Sequence, residues 1–462
     1  MDGVLPGYEV DSSTWSYLSF LLIVAVYFRF TRVWSLRNLD LSLLLLLSPA
    51  LLLVRYESAF AYPWIFSITG LIFLRLILDR QFTRRPLFPQ NMNTAGLIWL
   101  GGATFTFLMA IVVTFSPPEP TLESVRRGQQ LIEREDNSGE QLDDDDTGPA
   151  TAIITAPVGV ISKAVAKTGA DRPVSPEEQI EITARIMVIC AHLAIIAGLI
   201  YIGYRRFADL HLGVAMAVLY LLLPCTAIHV GEINQVIPAA LILWSIALYR
   251  NPIASGGMIG FACGMVFFPI FLVPLWATFY GWRGAKRFLG AWAGVLALVL
   301  MSLMLVSTDS TSFFRQTVSA VNWSSLSFDP QNNNGFWSMY ESAYRIPVIA
   351  VYLVAVASLT LWPINKKLEH LIANSAALIV GTQFWYPQQG GVYILWYLPL
   401  LLLVVFRPHL HHQDPPNFDD DQEGTENRPR NVSYRGTSTS PQPPSRSRSV
   451  IYAPFRREDH EN

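Results

Sequence analysis

Long apolar blocks alternate with short polar breaks along most of the chain. They lie near residues 14–30, 38–54, 62–79, 94–115, 181–203, 211–229, 235–249, 286–306, 345–363, 371–385 and 391–406. A helix of about 20 apolar residues crosses the ~30 Å hydrocarbon core of a bilayer. The pattern therefore predicts an all-α, polytopic transmembrane helical bundle of about 11–13 helical segments. It excludes an outer-membrane barrel, whose strands would show shorter, alternating segments.

The apolar stretch 254–279 allows two interpretations. Basic residues flank it on both sides, namely Arg250 before it and Arg283, Lys286 and Arg287 after it. Pro269 and Pro274 interrupt it, and proline breaks or kinks a helix because it lacks an N–H group. Two half-helices that return to one side of the membrane would satisfy both the charges and the breaks, if protein or water surrounds them. A single kinked span is the alternative.

Basic residues between the blocks predict the orientation of the chain, because cytoplasmic loops carry an excess of Lys and Arg. Those that fall on one side are Arg29, Arg32, Arg37, Arg80, Arg84, Arg85, Arg205, Arg206, Arg250, Lys366 and Lys367. The opposite side carries Arg55 and few other basic residues near the membrane. We therefore expect the N-terminus outside and the C-terminus in the cytoplasm.

The blocks and the polar segments together predict four regions. These are N-terminal transmembrane helices (1–115), an external acidic and amphipathic loop (116–180), a transmembrane core (181–407) and a cytoplasmic tail (408–462). The first part of the loop and the whole tail are polar and charged, and we expect both to be disordered. Ala150–Ala170 is apolar enough to lie on the membrane or against the protein. Ser175 and Pro176 predict the start of the next helix, as its N-cap and first residue.

The composition agrees with a membrane protein and excludes two other classes. Hydrophobic residues make up 52% of the chain and charged residues only 15%, against roughly 25% charged in soluble proteins. A soluble enzyme and a nucleic-acid binder are therefore excluded. Neither the number nor the spacing of Cys190, Cys225 and Cys263 predicts a disulfide framework or a thiolate metal site. The histidines at 409, 411 and 412 need no metal, and we expect no metal and no other cofactor.

Ionisable residues inside a span are functional candidates because they are costly in the bilayer, and here they are scarce. Arg75 lies near the cytoplasmic end of its block, where its side chain can reach the interface. His192 lies well inside a block, and a buried histidine with hydrogen-bond partners is favoured over a proton relay. The sequence shows no row of buried acids of the kind that an ion-coupled carrier needs, which disfavours a transporter.

Carboxylates at the outer ends of the predicted helices are the strongest candidates for chemistry. Glu57 lies in the short turn Arg55–Pro63, and Glu232 lies in the tight turn His229–Gln235. A carboxylate at the lip of a bundle has a dry and a wet side, so it can act as a base or bind hydroxyl groups. A solvated interfacial residue is the alternative interpretation of Glu232.

Several motifs between residues 211 and 300 resemble the polyprenol-phosphate-sugar-dependent glycosyltransferases of the GT-C superfamily. They are Gly231-Glu-Ile-Asn234, an apolar helix that ends Leu248-Tyr-Arg-Asn-Pro252, the glycines and prolines of 257–274, and Trp282-Arg-Gly-Ala-Lys-Arg287. The most similar type is the bacterial mannosyltransferase family known as glycosyltransferase family 87. Trp385-Tyr-Pro and Tyr393-Ile-Leu-Trp-Tyr-Leu-Pro399 are similar to the aromatic external turn and the following helix of such enzymes.

The resemblance implies how the reaction would run. A lipid-linked sugar enters from the outer leaflet, a carboxylate deprotonates an acceptor hydroxyl, and that hydroxyl displaces the phosphate with inversion. By its place in the first external loop, Glu57 corresponds to the general base, a match that depends on topology alone. Glu232 and Asn234 are the second choice, as donor or acceptor binders. Val266 stands where the family has a lysine before a proline, so one cation that would face the phosphate is missing.

Other outward-side residues supply the remaining groups that the resemblance implies. The cations that could hold the phosphate are Arg55, Arg315 and Arg345. The side chains that could bind the sugar are the amides of Asn332–Asn334, Gln388 and Gln389 and the rings of Trp337 and Trp385. For the tryptophans, a position in the aromatic belt at the membrane interface is the alternative.

The sequence therefore predicts a membrane hexosyltransferase, with a GT-C-like core, that acts at the external face of a bacterial cytoplasmic membrane. Its expected partners are a lipid-linked sugar donor and membrane lipids, and no nucleic acid. The sequence does not identify the sugar, the acceptor, the oligomeric state or the partners of the tail. Two other classes stay open. A transporter or lipid flippase would use the broken stretch 254–279 as its substrate site, and a degenerate, non-catalytic scaffold would have lost activity with the lysine that Val266 replaces.

Overall fold

The computed structural model describes residues 12–82, 90–133, 148–169, 175–306, 328, 334–408, 410 and 413–416. Their regular secondary structure is helical throughout, which confirms the predicted all-α class. The helices are α1 (Ser12–Tyr27), α2 (Leu36–Arg55), α3 (Ala61–Ile77), α4 (Thr94–Thr114), α5 (Glu119–Glu133), α6 (Ala150–Gly169), α7 (Pro176–Arg205), α8 (Leu210–Leu222), α9 (Pro224–Ile228), α10 (Ile233–Ala247), α11 (Pro252–Met265), α12 (Leu272–Val306), α13 (Arg345–Leu361), α14 (Leu368–Thr382) and α15 (Leu398–Phe406). Short 3₁₀ turns connect several of them.

Six of the helices are long and apolar enough to cross a membrane, namely α2, α3, α4, α7, α12 and α13. The protein is therefore an integral membrane protein with a polytopic helical bundle. Two predicted blocks are divided. The block 211–229 divides at Pro224, because the residue before a proline is pushed out of the helical conformation and Leu223 is extended. The block 391–406 becomes an α-helix only at Leu398.

The centre of the bundle is formed by its most apolar short helices. Every residue of Leu212–Leu222 in α8 and of Leu398–Phe406 in α15 is buried. The helix α13, by contrast, exposes Val351, Val354 and Leu361 by 65–70%. An apolar face that is exposed to this extent suits contact with lipid rather than with water.

Residues that the topology predicts on the same side of the membrane meet at one end of the bundle. Arg206 Nε donates to the carbonyl of Ala247 over 3.1 Å, and the peptide N–H of Leu368 donates to the carbonyl of Gln413 over 3.1 Å. We call this end the basic end; it carries residues 205–209, 247–251, 283–287 and 366–370. The opposite end is called the site end; it carries residues 229–235 and 383–391.

Residues 252–280 form a broken hairpin, the first of the two interpretations of this stretch. The helix α11 leads to a tip at residues 266–271, and the first part of α12 leads back to Tyr280. The hydroxyl of Tyr280 donates to the carbonyl of Tyr249 over 2.6 Å, so both ends of the hairpin lie at the basic end. Gly281 then adopts a φ of +65°, which glycine tolerates at low cost, and turns the chain into the rest of α12. A single kinked span is not what the structure has.

The segment between α4 and α7 contains two helices, which corrects one prediction. We expected the polar first part of this loop to be disordered, but Glu119–Glu133 form the helix α5. Its surface carries an ion pair of Glu123 and Arg126 at 2.5 Å, three residues apart, and its apolar side packs on α6. Residues 134–147 lie outside the described residues. The helix α6 confirms the apolar second part, and it lies against the protein, on α5 and α7.

We expected few buried ionisable residues in the spans, but five charged side chains form a network at the basic end. They are Asp40, Arg75, Asp79, Glu369 and Arg407. Arg75 donates to Asp40 and to Asp79, over 2.8 Å in each case, and Arg407 donates to Asp79 and, over 2.7 Å, to Glu369. All but Glu369 are at most 5% exposed. Arg75 lies at the basic end but is buried against two acids rather than extended toward solvent, and the spans do contain buried acids. Each of these acids is paired with an arginine, as buried charges must be.

Some predictions concern residues outside the described part of the chain. They are the histidines 409, 411 and 412, Arg315, Asn332 and Asn333, and the tail from residue 417 onward. The disorder of the tail and the division into four regions therefore stay predictions.

Candidate functional site

The turn between α9 and α10 holds Glu232 in a small polar cluster at the site end. Its Oε1 lies 2.9 Å from Nδ1 of His229, and its Oε2 accepts a hydrogen bond from Nε2 of Gln235. The Glu232 side chain is 33% exposed, whereas that of His229 is only 9% exposed and Gln235 is 3% exposed. The carboxylate therefore opens to the surface, with its two partners beneath it. Glu232 is also the N-cap residue of α10, where the helix dipole favours a negative charge.

The helix α5 fixes the backbone of the same turn. Thr121 Oγ1 donates to the carbonyl of Gly231 over 2.8 Å and accepts from the N–H of Ile233 over 3.3 Å. Ser124 Oγ donates to Oδ1 of Asn234 over 3.0 Å. Both hydroxyl-bearing residues of α5 are fully buried. Asn234 is therefore held by the loop helix, and the loop and the core meet at the predicted site.

His192 lies below this turn with both ring nitrogens engaged. Its Nε2 is 2.9 Å from the carbonyl of Val230, and its Nδ1 is 2.9 Å from the hydroxyl of Tyr220. Since a carbonyl oxygen can only accept, Nε2 carries the hydrogen and Nδ1 accepts from Tyr220. This agrees with the interpretation of His192 as a buried histidine that is satisfied by its partners.

A second cluster forms where the segment 334–345 packs on the turn between α14 and α15. Trp337 Nε1 donates to the carbonyl of Phe384, and Arg345 Nε donates to the carbonyl of Trp385, each over 3.1 Å. Trp337 and Trp385 are 5% and 1% exposed, and Arg345 is fully buried. Rings this deeply buried do not face lipid, so the interpretation as an interfacial belt is wrong for both tryptophans.

Asn334 and Gln388 belong to this second cluster as well. The N–H of Asn334 donates to the carbonyl of Pro387 over 2.9 Å, and its carbonyl accepts from the N–H of Gln389 over 3.2 Å. Oε1 of Gln388 accepts from the hydroxyl of Tyr386 over 3.2 Å. Four predicted sugar- or phosphate-binding residues therefore lie in one cluster: Asn334, Trp337, Arg345 and Gln388.

Aromatic contacts join the two clusters. Trp396 Nε1 donates to the carbonyl of Asn234 over 3.4 Å, and its ring lies 5.8 Å from that of Tyr386. The tip of the broken hairpin reaches the same place, since Phe267 stacks on Tyr386 at 5.3 Å and lies 5.6 Å from Trp385. The hairpin, the turn before α10 and the turn before α15 thus form one site.

Glu57 stands apart from these residues. It is exposed, with a φ of +52°, in the turn after α2. Among the residues that the structure describes, no hydrogen bond joins its carboxylate to another predicted site residue. Its turn still faces the site end, because a Cβ added to Gly335 would lie 2.7 Å from the ring of Tyr62, at the start of α3.

Some residues of the site were not predicted. Thr121 and Ser124 gave no signal, because the composition around α5 indicated disorder. His229 and Gln235 did give one, since both lie in the same tight turn, each only three residues from Glu232. Phe267 and Tyr386 are recognisable only from the fold.

The helices and these joined clusters define a polytopic helical membrane protein with a polar and aromatic site at one end of its bundle. Residues 174–407, half of the chain, match glycosyltransferase family 87. The chain belongs to this family and is a membrane glycosyltransferase. The match is wider than the motifs at 211–300, and it contains every predicted site residue except Arg55 and Glu57. No curated protein and no solved structure matches the chain.

Proposed function

We propose that the protein transfers a hexose from a polyprenyl-phosphate donor to an acceptor hydroxyl at the site end. The observation that carries this proposal is the series of contacts from Asn234 through Trp396 and Tyr386 to Gln388, all within the family match. Sugar sites combine amides that bind hydroxyl groups with aromatic rings that cover the apolar faces. The site end offers both kinds of group in one place.

The proposed reaction is a single displacement. A base takes the proton of the acceptor hydroxyl, and the oxygen attacks the anomeric carbon on the side opposite the phosphate. The bond between that carbon and the phosphate oxygen breaks, polyprenyl phosphate leaves with the electron pair, and the configuration inverts. Such a reaction needs a base on one side of the sugar and positive charge near the phosphate on the other.

Arg345 supplies the positive charge in this proposal. Val266 leaves the tip of the hairpin without a cation, but Arg345 binds the carbonyl of Trp385, against which the tip residue Phe267 packs. A buried guanidinium can bind phosphate through two parallel hydrogen bonds, and more strongly than in water. Arg345 thus takes the role that a lysine at position 266 would have.

The predicted sugar-binding residues divide into two groups. Gln388 and Asn234 bring amides to the sugar while Tyr386 holds Gln388 and Ser124 and Pro120 hold Asn234, since an amide can make further hydrogen bonds beside these. Trp337 acts indirectly, since its ring is buried and its N–H holds the backbone of Phe384. Asn334 likewise holds the turn through its backbone bond with Pro387.

The proposed location is a bacterial cytoplasmic membrane, with the N-terminus outside and the site end at the external face. The distribution of basic residues supports this orientation, because the opposite end carries clusters of Lys and Arg at 205–206, 283–287 and 366–367. A lipid-linked donor would then enter the site from the outer leaflet.

Arg345→Ala tests the role of this cation. The full-length chain in lipid nanodiscs is given polyprenyl-phosphate mannose, glucose or galactose with a bacterial lipid extract as acceptor, and released polyprenyl phosphate is measured. We expect the wild type to consume at least one donor and Arg345→Ala to lose roughly 100-fold or more in kcat/KM. Arg345→Lys should retain an intermediate rate, because it keeps the charge but not the paired hydrogen bonds.

Arg126→Ala is the matched control, since Arg126 is a partly exposed cation of the site end whose partner is Glu123. It should keep the wild-type rate. A wild-type chain that consumes none of the three donors contradicts the proposal. Binding of donor without consumption would favour the non-catalytic scaffold, for which the uncharged Val266 is the supporting observation.

A further inference from the structure

The turn between α1 and α2 holds three large apolar side chains away from the protein. Phe30, Val33 and Trp34 are 65%, 52% and 100% exposed. The turn consists only of residues 28–35, and we call it the α1–α2 turn. Since α2 is long and apolar enough to cross the membrane, so short a turn stays at the membrane surface.

The α1–α2 turn lies at the basic end. Arg37, in the first turn of α2, lies over the ring of Phe406, with 5.3 Å between its guanidinium carbon and the ring centre. The next residue, Arg407, belongs to the charge network of that end. The exposed rings therefore meet the same leaflet as the basic residues.

A buried amide fixes the shape of the α1–α2 turn. Asn38 is only 1% exposed, and its Nδ2 lies 3.0–3.1 Å from the carbonyl oxygens of Arg29, Arg32 and Val33. Its Oδ1 accepts from the N–H of Arg29 over 3.0 Å. These hydrogen bonds hold the backbone from which the apolar side chains project. The outward position of these side chains is therefore part of the fold.

The same segment carries an excess of positive charge. Residues 28–39 include Arg29, Arg32 and Arg37 but no Asp or Glu. The next acid along the chain, Asp40, is bound to Arg75. Arg32 is exposed beside the apolar side chains. A surface that combines exposed rings with positive charge fits a partner that has an apolar part and a negative headgroup.

We propose that the α1–α2 turn is a binding site for an anionic phospholipid of the leaflet at the basic end. Phe30, Val33 and Trp34 enter the boundary between headgroups and acyl chains, while Arg29 and Arg32 bind the phosphate. Arginine binds phosphate through paired hydrogen bonds. The excess positive charge selects a lipid of net negative charge, such as phosphatidylglycerol, over zwitterionic phosphatidylcholine. The proposal is independent of the transfer reaction.

Substitution of the arginines is the primary test. Native mass spectrometry of the full-length chain, titrated in detergent with phosphatidylglycerol or phosphatidylcholine, gives the Kd of each lipid. We expect the wild type to prefer phosphatidylglycerol. Arg32→Gln should weaken its binding about five-fold, and Arg29→Gln together with Arg32→Gln about 25-fold, since each arginine near an anionic headgroup contributes roughly a factor of five. The affinity for phosphatidylcholine should change little.

Arg205→Gln is the matched control. Arg205 is also an exposed arginine of the basic end, and it follows Tyr204, an aromatic residue that is 60% exposed. In a micelle only residues that contact the bound lipid affect its Kd, so this variant should bind like the wild type. A preference for phosphatidylglycerol that survives the double substitution, or that Arg205→Gln abolishes, overturns the proposal. Thermal unfolding shows whether each variant folds, and Arg32→Gln alone decides if the double variant does not.

A second measurement locates the bound lipid. Phosphatidylglycerol with a diazirine group at the start of one acyl chain is bound to the full-length chain and irradiated, and mass spectrometry identifies the crosslinked residues. We expect crosslinks at Phe30, Val33 or Trp34. Trp34→Ser should reduce them, whereas Tyr204→Ser should not. Crosslinks that spare the α1–α2 turn overturn the proposal, even if the chain prefers phosphatidylglycerol.

Discussion

Glu57 has a left-handed backbone conformation, with a φ of +52°, because it follows the last turn of α2. The N–H of Ser58 donates to the carbonyl of Leu53, and the N–H of Glu57 donates to that of Val54, both over 3.0 Å. This is the Schellman pattern, in which the residue after the helix adopts a left-handed conformation and is usually glycine. A side chain at this position costs about 1 kcal/mol. The conformation of Glu57 is therefore explained by helix capping, and its assignment as the general base stays a prediction.

Glu57→Gly tests this explanation. Removal of the side chain should raise the free energy of unfolding by about 0.5–1 kcal/mol, because glycine adopts a positive φ without steric cost. The midpoint of thermal unfolding in detergent measures the change. Ala208→Gly is the matched control, since Ala208 is also exposed with a φ of +55° and should gain a similar amount. A loss of stability in Glu57→Gly alone would mean that the carboxylate makes a stabilising contact.

The sequence predicted which types of side chain lie at the site, but it did not predict which residues form hydrogen bonds with them. The position of Glu232 in a tight turn at the end of a helix followed from the sequence. That both of its oxygens are engaged did not, because this depends on the rotamers of His229 and Gln235. The burial of Trp337 was likewise hidden, since an aromatic residue near a membrane edge has the same sequence pattern whether it faces lipid or protein.

At the scale of elements, α5 links the external loop to the core. Its fully buried Thr121 replaces two backbone hydrogen bonds that the turn before α10 lacks, at Gly231 and Ile233. Such a bridge between elements far apart in the chain makes the shape of the turn depend on a helix outside the family match. The geometry around Glu232 is thus set partly by the loop.

Thr121→Val removes this bridge and keeps the shape of the side chain. We expect a loss of about 1–3 kcal/mol in unfolding free energy, because a carbonyl and an N–H are left unpaired in a buried place. Hydrogen–deuterium exchange of residues 229–235 should rise at the same time. Thr114→Val is the control, since the hydroxyl of Thr114 is exposed and bonds only to Ala110 of its own helix. Equal exchange in both variants would contradict the role of α5.

The spans were predictable because hydropathy alone determines which segments can cross a bilayer. The start of α7 was predictable too, as Ser175 accepts from the N–H of Glu178 over 3.2 Å and Pro176 follows. The helix α5 was not, because its stability comes from packing on α6 rather than from its composition. For residues 254–279 the sequence left two structures open, a broken hairpin and a single kinked span. The hydrogen bond from the hydroxyl of Tyr280 to the carbonyl of Tyr249, which brings both ends of the stretch together, decides for the hairpin.

At the scale of the whole molecule, the charge network holds the basic end together. It joins α2, the end of α3, the start of α14 and the residue after α15 through Arg75 and Arg407. Ion pairs between segments so far apart in the chain cannot be predicted from the hydropathy of each block taken separately. The topology predicted which ends share a side, but not that Asp40 and Asp79 turn inward.

Arg75→Met should destabilise the protein strongly. It removes the guanidinium that bridges Asp40 and Asp79, and loss of one partner from a buried ion pair costs about 3–5 kcal/mol. Thermal unfolding in detergent measures the loss. Arg80→Met, an exposed arginine at the same end, is the control and should change stability by less than about 1 kcal/mol. Equal shifts in the two variants would mean that the network contributes no more than surface charge.

The link between Asp79 and Arg407 also constrains how the protein is made. The two residues are 328 positions apart, so at about 5–20 residues per second the ribosome needs on the order of tens of seconds to pass from one to the other. Throughout that time the first helices sit in the membrane without the arginine that joins them to the last. The ion pairs of Arg407 with Asp79 and Glu369 can therefore form only after Arg407 has been synthesised. A chain truncated before that residue would insert its N-terminal helices in the membrane but would lack the ion pairs that join them to the last helix.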